Sequence, residues 1–224
     1  MLEQNLQTQN LFDLSQTSAA EILENTIYPW EALPKIKNFI LKFGPTLPKD
    51  LYCEIKENVW ISKNAKIANS AFIDGPTIIE DGAEIRHCAF IRGSVLVGKN
   101  SVVGNSTELK NCILFNNVQV PHFNYVGDSI LGFKAHLGAG AITSNVKSDR
   151  SMVTIKTYEG EKINTELKKF GAIIGDYTEI GCNAVLNPGT ILGRNCTVYP
   201  TTMVRGVTDE NTIIKNTNEK VQKY

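Results

Sequence analysis

The sequence predicts an all-β fold, a parallel β-helix built from hexapeptide repeats, with a short helical or irregular cap at its N-terminus. Two runs of apolar residues at every sixth position carry this prediction, because one short strand per hexapeptide is typical of a chain wound into a β-helix. The first run consists of Ile61, Ile67, Ile73, Ile79, Ile85, Ile91, Val97, Val103, Leu109 and Phe115. The second run consists of Ile174, Ile180, Leu186, Leu192, Val198 and Val204. Most residues two positions before these members are small, as Ala65, Ala71 and Ala83 are, which suits tight corners between strands.

Residues 1–57 lack the six-residue period and form the predicted cap. Residues 18–23 have the pattern of a capped helix start, and Pro34, Pro45 and Pro48 interrupt the apolar stretches that follow. The segment is too short to build a large core of its own. We therefore expect it to pack on the end of the coil and to cover the strand edge exposed there.

The coil domain, residues 58–207, departs from its period twice. Continuing the first run predicts members at 121, 127 and 133, but the pattern resumes at Leu131 and Leu137. The winding therefore slips by two residues, and we place this slip over residues 121–125. The second break, at about residues 145–169, is polar and rich in Lys and Glu, which predicts a loop that projects from the coil. Breaks in a regular solenoid commonly mark its binding face. Residues 208–224 are predicted to be a polar tail.

The composition disfavours several classes of partner and compartment. Lys plus Arg equals Asp plus Glu, 23 of each, so no basic excess favours nucleic acid or an anionic membrane. No apolar stretch reaches the length of a membrane span, and the N-terminus lacks the pattern of a secretory signal. The five cysteines form no C-x-x-C pair, which indicates reduced packing residues in a cytoplasmic protein rather than a disulfide framework or a zinc site.

Two cations stand three hexapeptides apart in the sequence. If one triangular turn of the β-helix consists of three hexapeptides, these two residues are one turn apart. Arg92 and Lys110 each directly follow a member of the apolar run, so they are expected to stack at roughly the 4.8 Å spacing of neighbouring strands. Stacked cations repel unless an anion lies beside them. The spacing leaves two alternatives open: a salt-bridge column with Asp74, which stands the same distance before Arg92, or a bound phosphate, for which Arg and Lys are the usual ligands.

One histidine lies in the first break and is a candidate general base. His122 follows a proline and precedes Tyr125 by three residues, and its imidazole is the side chain best suited to accept a proton near pH 7. The alternative is a solvated loop histidine without a catalytic role, and the same alternative applies to His87 and His136. The spacing of the three histidines resembles no metal-binding set, so the motifs require no metal.

Other catalytic motifs are not supported by the sequence. No G-x-S-x-G elbow occurs, and no cysteine lies beside a histidine in a convincing context. The G-A-G-A stretch at residues 138–141 is not followed by the residues of a phosphate-binding P-loop. It is instead predicted to be a β-helix corner whose backbone N–H groups can point at a carbonyl oxygen.

The middle of the chain resembles a known family. The resemblance rests on E-L-K-N at 108–111, H-F-N-Y-V-G-D-S-I-L-G at 122–132 and L-G-A-G-A-I-T-S-N at 137–145, and G-A-I-I-G-D at 171–176 and N-P-G at 187–189 continue it. These segments are similar to the acetyltransferase domain of the bifunctional N-acetylglucosamine-1-phosphate uridyltransferases. They are more similar still to the C-terminal domains of archaeal sugar-1-phosphate nucleotidylyltransferases, which acetylate amino-sugar phosphates. The resemblance covers roughly residues 58–207.

The resemblance implies a left-handed β-helix, a homotrimer with active sites between subunits, and acetyl transfer from acetyl-CoA to the amine of glucosamine 1-phosphate in UDP-N-acetylglucosamine synthesis. Carried over by position, His122 is the general base, Tyr125 and Asn145 orient the sugar, and Arg92 and Lys110 hold its phosphate. The Ala139 N–H meets the thioester oxygen, and Cys182 lies near the CoA site.

The chain departs from the family pattern at several positions. His136 replaces an asparagine and Cys182 a serine. The predicted projecting loop at about residues 145–169, here called the excursion, carries Lys147, Arg150 and Lys156 without a clear match to the family's basic residues. The family's uridyltransferase domain and its glycine-rich loop have no counterpart, so no nucleotidyltransferase activity is expected from this chain. Two alternatives stay open: a non-catalytic trimeric module that supports a separate sugar-1-phosphate nucleotidyltransferase, or an acyltransferase for a nucleotide-linked amino sugar.

Overall fold

The computed structural model describes residues 4–156 and 162–215. The chain forms a parallel β-helix of about eight turns, in which short strands stack into three flat faces. The first face contains β2 (Val59–Ser62), β5 (Thr77–Ile79), β8 (Val95–Val97), β17 (Ala172–Ile174), β20 (Thr190–Leu192) and β23 (Val207–Thr208), and β1 (Tyr52–Lys56) lies antiparallel on β2. The second face contains β3 (Lys66–Ile67), β6 (Glu84–Ile85), β9 (Val102–Asn105), β11 (Gln119–His122), β13 (His136–Leu137), β18 (Glu179–Ile180), β21 (Thr197–Val198) and β24 (Ile213–Ile214). The third face contains β4 (Phe72–Ile73), β7 (Phe90–Ile91), β14 (Ile142–Thr143), β19 (Val185–Leu186) and β22 (Met203–Val204). β10 (Glu108–Leu114) and β12 (Tyr125–Leu131) run from the third face into the first.

The predicted parallel β-helix is confirmed, and its left-handed winding stays a prediction. The strands form because β-branched residues dominate the apolar run, and these residues favour extended, stacked backbone. Their side chains fill the interior of the coil, where Ile79, Val97, Val103 and Leu109 are fully buried. Many corners place a non-glycine residue at positive φ, and several of these residues are asparagines, which tolerate that backbone region well.

The slip of two residues is real, but its predicted location is wrong. The first turns keep the full length of three hexapeptides, so that Thr77 pairs with Val95. Val95 then pairs with Cys112, and Cys112 pairs with Ser129, so each of these two turns is one residue shorter. The missing residue comes in both cases from the corner between the third and first faces, and the segment at 121–125 is not where the slip occurs.

Phe115, the tenth member of the first apolar run, does not take the inward-facing position, because the turn before it is one residue shorter. Leu114, and not Phe115, pairs with Val97 and so takes the inward position. The Phe115 ring packs instead against Phe12 of the N-terminal segment, with 4.9 Å between ring centroids. A six-residue count shows that the register shifts, but it cannot show which corner lost a residue.

The predicted excursion leaves the coil at the same corner. Ile130 pairs directly with Ile173, so the chain returns to the next turn after the inserted segment. The excursion contains an antiparallel hairpin of β15 (Thr154–Lys156) and β16 (Lys162–Asn164). Because the coil resumes in register, the excursion does not disturb the stacking of the turns on either side.

The N-terminal segment covers the first face, which differs from the predicted packing on the end of the coil. Only β1 lies on an end strand; the remainder consists of α1 (Thr8–Leu11), α2 (Ala20–Glu24), α3 (Ile36–Phe43) and 3₁₀ turns at Gln4–Leu6, Leu14–Gln16, Pro29–Lys35 and Gly44–Thr46. The helix α2 begins without a side-chain cap, so the predicted Ser18 cap is wrong. An outward column of fully buried apolar residues explains the packing: Ile78, Leu96, Ile113, Ile130, Ile173 and Ile191. These side chains need a cover, and the N-terminal helices provide it.

Polar contacts fix the segment along the length of the coil. The Asp13 N–H donates to Asp176 Oδ2 at 2.7 Å, and the Asp176 N–H donates to the Leu11 carbonyl at 3.1 Å. Further along, the Asn116 N–H donates to the Gln16 carbonyl at 2.9 Å. The buried Asp176 carboxylate also accepts the Phe133 N–H, and burial raises its pKa although these two N–H groups oppose the shift.

The other two faces differ in polarity. The second face presents polar side chains such as Glu84 and Glu179 to solvent. The third face is apolar and open, because Phe72, Phe90 and Met203 remain 56%, 41% and 58% exposed.

The coil extends beyond its predicted end at residue 207. The strand β24 pairs with β21, so residues 208–215 continue the winding, whereas the remainder of the predicted tail, 216–224, lies outside the described residues. None of the helices within residues 4–156 and 162–215 is long and apolar enough to cross a bilayer.

One buried carboxylate carries a pH dependence. Burial raises the pKa of Glu80 above its ordinary 4.5, and its Oε2 atom has no hydrogen-bond partner among the described residues. Nearby, burial raises the pKa of Tyr52 to about 12, with the charges of Glu80 and Asp81 adding to the shift. The native state therefore holds the Glu80 proton to higher pH than the unfolded chain does.

We expect Glu80→Gln to stabilise the protein at pH 7 and to leave it unchanged well below pH 4.5, where both forms are neutral. The wild-type free energy of unfolding should fall as pH rises above 4.5, because the native state there binds more protons than the unfolded state. Urea unfolding from pH 4 to 8 measures this difference. The exposed Glu57→Gln variant should track the wild type, and a wild-type-like profile for Glu80→Gln would contradict the assignment.

Candidate active site

The corner between the second and third faces stacks three of the predicted site residues. The Gly140 N–H donates to the His122 carbonyl at 3.0 Å, so Ala139 lies one turn above His122. The Asn183 N–H donates to the Ala139 carbonyl at 2.8 Å, which places Cys182 one turn higher still. Although the excursion separates Ala139 from Cys182 in the sequence, the restored register brings them into one column.

The side chain of Asn124 ties the two lower corners of this column together. Its Nδ2 group donates to the carbonyls of Gly138 and Ala141 at 2.8 and 3.0 Å, and its Oδ1 atom accepts the His122 N–H at 3.1 Å. Because Asn124 is buried, it fixes the backbone of His122 relative to the corner that carries Ala139. Sequence reasoning did not assign this residue a role.

Two groups of this column have no hydrogen-bond partner among the described residues. The His122 side chain is exposed, and its ring makes no hydrogen bond to the residues that the structure describes. The Ala139 N–H likewise has no acceptor among the described residues, whereas the neighbouring Gly138, Gly140 and Ala141 N–H groups are all bonded. An exposed imidazole and a backbone donor that has no acceptor among the described residues therefore lie on adjacent turns, at a spacing of roughly 4.8 Å.

The corner between the third and first faces carries the charged residues. Leu109 pairs with Ile91, which stacks Lys110 over Arg92 as predicted. Each cation has its own carboxylate: Arg92 Nη1 donates to Glu108 Oε1 at 2.7 Å, and Lys110 Nζ lies 3.1 and 3.2 Å from the two oxygens of Asp128. The Glu108 contact raises the pKa of Arg92, so the guanidinium stays charged.

The salt-bridge column suggested for Asp74 is wrong. Asp74 pairs with Lys56 at 3.0 Å, and this contact lowers its pKa. The Arg92 side chain reaches the carboxylate of Glu108 on the next turn instead. Counting one full turn from Arg92 leads to Lys110 and not to Glu108, which stands two positions earlier. The spacing of full turns therefore could not predict this partner.

A buried carboxylate organises Tyr125 and Asn145. Asn145 Nδ2 donates to Asp128 Oδ2 at 2.5 Å and to the Tyr125 hydroxyl at 3.1 Å. Asn111 Nδ2 donates to the other oxygen of Asp128 at 2.9 Å. Burial, together with the charge of Asp128, raises the pKa of Tyr125, so its phenol remains a neutral donor. Asp128 therefore links Lys110, Asn145 and Tyr125 in one network.

The shortened corners produce this arrangement. Asn111 and Asp128 both adopt positive φ, 49° and 48°, at the two positions where a residue has been lost. Asn and Asp are the non-glycine residues that best tolerate this conformation. The motif contained Asp128, but the signal that could have identified it is its spacing of three hexapeptides from Lys110, with opposite charge.

The predicted residues thus form two columns rather than one cluster. His122, Ala139 and Cys182 lie on one corner, and Arg92, Lys110 and Asn145 lie at the next. The two corners border the narrow third face, and Tyr125 begins the strand β12 between them. His136 belongs to neither, since it lies on the second face with Nδ1 2.7 Å from Glu179 Oε2. Within the described residues, no group of three His, Cys, Asp or Glu side chains is arranged to hold a metal ion.

Comparison with known proteins agrees with this architecture. The family described as the GMPPB C-terminal domain matches residues 73–170, and the bacterial transferase hexapeptide family (six repeats) matches residues 171–206. The chain is 31% identical over 192 residues to the bifunctional protein GlmU of Methanococcus aeolicus, covering 78% of this chain and 46% of that protein. It is 30% identical over 168 residues to the bifunctional sugar-1-phosphate nucleotidylyltransferase/acetyltransferase of Sulfurisphaera tokodaii, covering 66% and 41%. The chain therefore spans about half the length of these relatives. Among solved structures, it is similar to the polySia specific acetyltransferase NeuO, with 16% identity, a TM-score of 0.49, and coverage of 68% of this chain and 77% of that one.

We expect Lys110→Ala to lower the free energy of unfolding by about 1–3 kcal/mol, because it leaves the buried Asp128 carboxylate without its cation. Adding Asp128→Asn should recover part of this loss, since the amide carries no charge to compensate. Chemical denaturation of both single variants and the double variant measures the coupling.

The matched control is Lys56→Ala, which breaks the exposed pair with Asp74 at the same corner and should cost below about 1 kcal/mol. Additive losses from Lys110→Ala and Asp128→Asn would show that the two side chains do not depend on each other.

Proposed function

We propose, on the premise that the chain belongs to the hexapeptide-repeat transferases related to the bifunctional GlmU proteins, that it is an acetyl-CoA-dependent N-acetyltransferase. Its acceptor is an amino-sugar phosphate, glucosamine 1-phosphate in the leading case, and its product enters nucleotide-sugar synthesis. The observation that carries the proposal is the placement of His122 and Ala139 on adjacent turns, across the third face from the network of Tyr125, Asn145 and Lys110. The Ala139 N–H has no acceptor among the described residues.

The chemistry divides between the residues of the first column. The nitrogen of the acceptor amine attacks the thioester carbonyl, and His122 accepts a proton from this amine as it does so. The Ala139 N–H donates to the carbonyl oxygen as negative charge develops there. The new carbon–nitrogen bond forms, the carbon–sulfur bond breaks, and the proton held by His122 can pass to the departing thiolate. Ala139 and Cys182 border the position of the CoA chain along this corner.

The second column binds the acceptor. Tyr125 and Asn145 orient the sugar ring through their hydroxyl and amide groups, and Arg92 and Lys110 hold the phosphate. The carboxylates beside the two cations leave donors for a phosphate. Among the described residues, the Arg92 guanidinium uses one of its five N–H donors on Glu108. The Lys110 ammonium has three N–H donors and contacts the two oxygens of Asp128, so one donor remains. Glu108 and Asp128 hold the two cations in place, so little side-chain entropy is lost when the phosphate arrives.

The same proposal includes a homotrimer with sites between subunits. The third face borders both columns and exposes Phe72, Phe90 and Met203, an apolar surface that association of copies would bury. A neighbouring copy on this face would also shield the site from water, which strengthens the electrostatic contacts within it.

The experiment that tests the function is release of CoA by the purified chain with acetyl-CoA and one of three acceptors. Release with glucosamine 1-phosphate, and not with glucosamine 6-phosphate or UDP-glucosamine, is the expected result. Release with UDP-glucosamine alone would identify an acyltransferase for a nucleotide-linked sugar. No release from a folded protein with any acceptor would reject the enzyme and favour the module that supports a separate nucleotidyltransferase.

We expect His122→Ala to reduce acetyl transfer about 100- to 10,000-fold, because it removes the general base. The same CoA-release assay measures the loss, and size-exclusion chromatography verifies that assembly is unchanged. His87 is the control. Asn105 pairs with His122 on the turn below, and the Asn105 side chain donates a hydrogen bond to the His87 carbonyl. His87 therefore lies on the same corner as His122, two turns below it. His87→Ala should keep full activity, and wild-type turnover by His122→Ala would overturn its assigned role.

We expect Lys110→Ala to raise KM for the amino-sugar phosphate much more than KM for acetyl-CoA, because in the proposed complex the lost ammonium binds the acceptor phosphate and no part of acetyl-CoA. Steady-state kinetics with each substrate varied in turn measures both constants. Any fraction of unfolded variant lowers the apparent kcat but leaves both KM values unchanged, so equal increases in the two constants would count against a phosphate role for Lys110.

A further inference from the structure

A cavity of about 760 Å³ lies between the excursion and the last turns of the coil. Its floor is the corner around Asn187 and Gly189 together with Arg205 and its neighbours, and its roof is the loop after Ser144 with the strand β15. The cavity exists because the excursion folds back onto the coil. Gly189 of the coil lies so close to Val153 of the excursion that a Cβ atom at Gly189 would meet the Val153 side chain at 2.7 Å.

The lining of this cavity is positively charged. Its described residues include Lys147, Lys156 and Arg205, and Asp149 is the single carboxylate among them. Asp149 is already engaged, because it accepts both the N–H and the hydroxyl of Ser151 at 3.0 and 2.8 Å, and these bonds lower its pKa. Lys147 lies 3.9 Å from Asp149, whereas Lys156 and Arg205 form no ion pair with any carboxylate of the described residues. The described lining residues therefore carry an excess of two positive charges in a chain of zero net charge.

The remaining lining is apolar in part. Val146, Pro188 and Val207 contribute carbon surface beside the cations. A volume of this size lies within the range of small-molecule sites. A nucleotide combines the two properties that the cavity offers, because its phosphates pair with Arg and Lys and its base packs on apolar surface.

The cavity is separate from the acceptor phosphate site. Leu109, next to Lys110, and Val204, next to Arg205, lie on the same corner with three strands between them, those of Val126, Thr143 and Leu186. Four strand steps correspond to about 19 Å. One phosphate group cannot contact both places.

We infer that this cavity is a second phosphate site, which binds the phosphorylated end of a nucleotide through Lys147, Lys156 and Arg205. The chemistry is shared by two sources: the adenosine 3′,5′-bisphosphate end of CoA and the diphosphate of a nucleotide-linked sugar. The inference does not require acetyl transfer, because it concerns binding to the free protein.

Isothermal titration of the whole chain with adenosine 3′,5′-bisphosphate, UDP and inorganic pyrophosphate tests the site. We expect at least one nucleotide to bind, and Arg205→Ala and Lys156→Ala each to weaken its Kd about tenfold, since each removes a cation from the phosphate. Preference for the bisphosphate would identify the CoA end as the ligand, and preference for UDP would identify a nucleotide-linked sugar.

The matched control is Lys162→Ala. Lys162 pairs with Lys156 across the hairpin but does not line the cavity, so its variant should bind like the wild type. Lys110→Ala should also retain nucleotide binding, which separates this site from the acceptor site even if the proposed acetyl transfer fails. Absence of binding for all three probes, or equal weakening in Lys162→Ala and Arg205→Ala, would overturn the inference.

Discussion

The hydrogen-bonded register between successive turns is the constraint on which the rest of the structure depends. Each strand bonds to the strand one turn below, so a residue's height on the coil is fixed by the number of residues in every preceding turn. Losing one residue at a corner therefore moves all later side chains together. The chain uses this property twice at the corner between the third and first faces, and then restores the register after the excursion. Ala139 and Cys182 share a column because of that restoration.

Much of the coil could be predicted from the sequence because its inner residues are under a single repeated requirement. The six-residue period identified the β-helix, the excursion and the stacking of Lys110 over Arg92. The location of the slip could not be predicted, because the period counts residues per turn and is insensitive to which corner is shortened. Phe115 shows the consequence, since an apolar residue at the expected spacing can serve the outer packing instead of the core.

The predicted packing of the N-terminal segment on the end of the coil was wrong for a different physical reason. Every third repeat carries a second apolar residue beside the inward one, as at Ile78, Leu96 and Ile113, and this marks a face buried on both sides. A strand buried on both faces is typically a continuous apolar run rather than an alternating one. The signal was present in the sequence but lay in the neighbour of the counted residue.

In the site, the carboxylate of Asp128 was missed because motif matching assigns roles to groups that touch a ligand, and Asp128 acts on Lys110 and Asn145.

The N-terminal segment has a consequence for how the whole coil comes apart. In a plain solenoid each turn contacts only its neighbours, so unravelling can begin at either end and proceed one turn at a time. Here one continuous stretch of chain contacts early and late turns alike, from Trp60, which packs on Gly44, to Asp209, which accepts a hydrogen bond from Asn5. Releasing a terminal turn therefore requires detaching a brace that also holds the central turns. The brace converts a series of local equilibria into one cooperative unit, in which the ends of the coil share the stability of its middle.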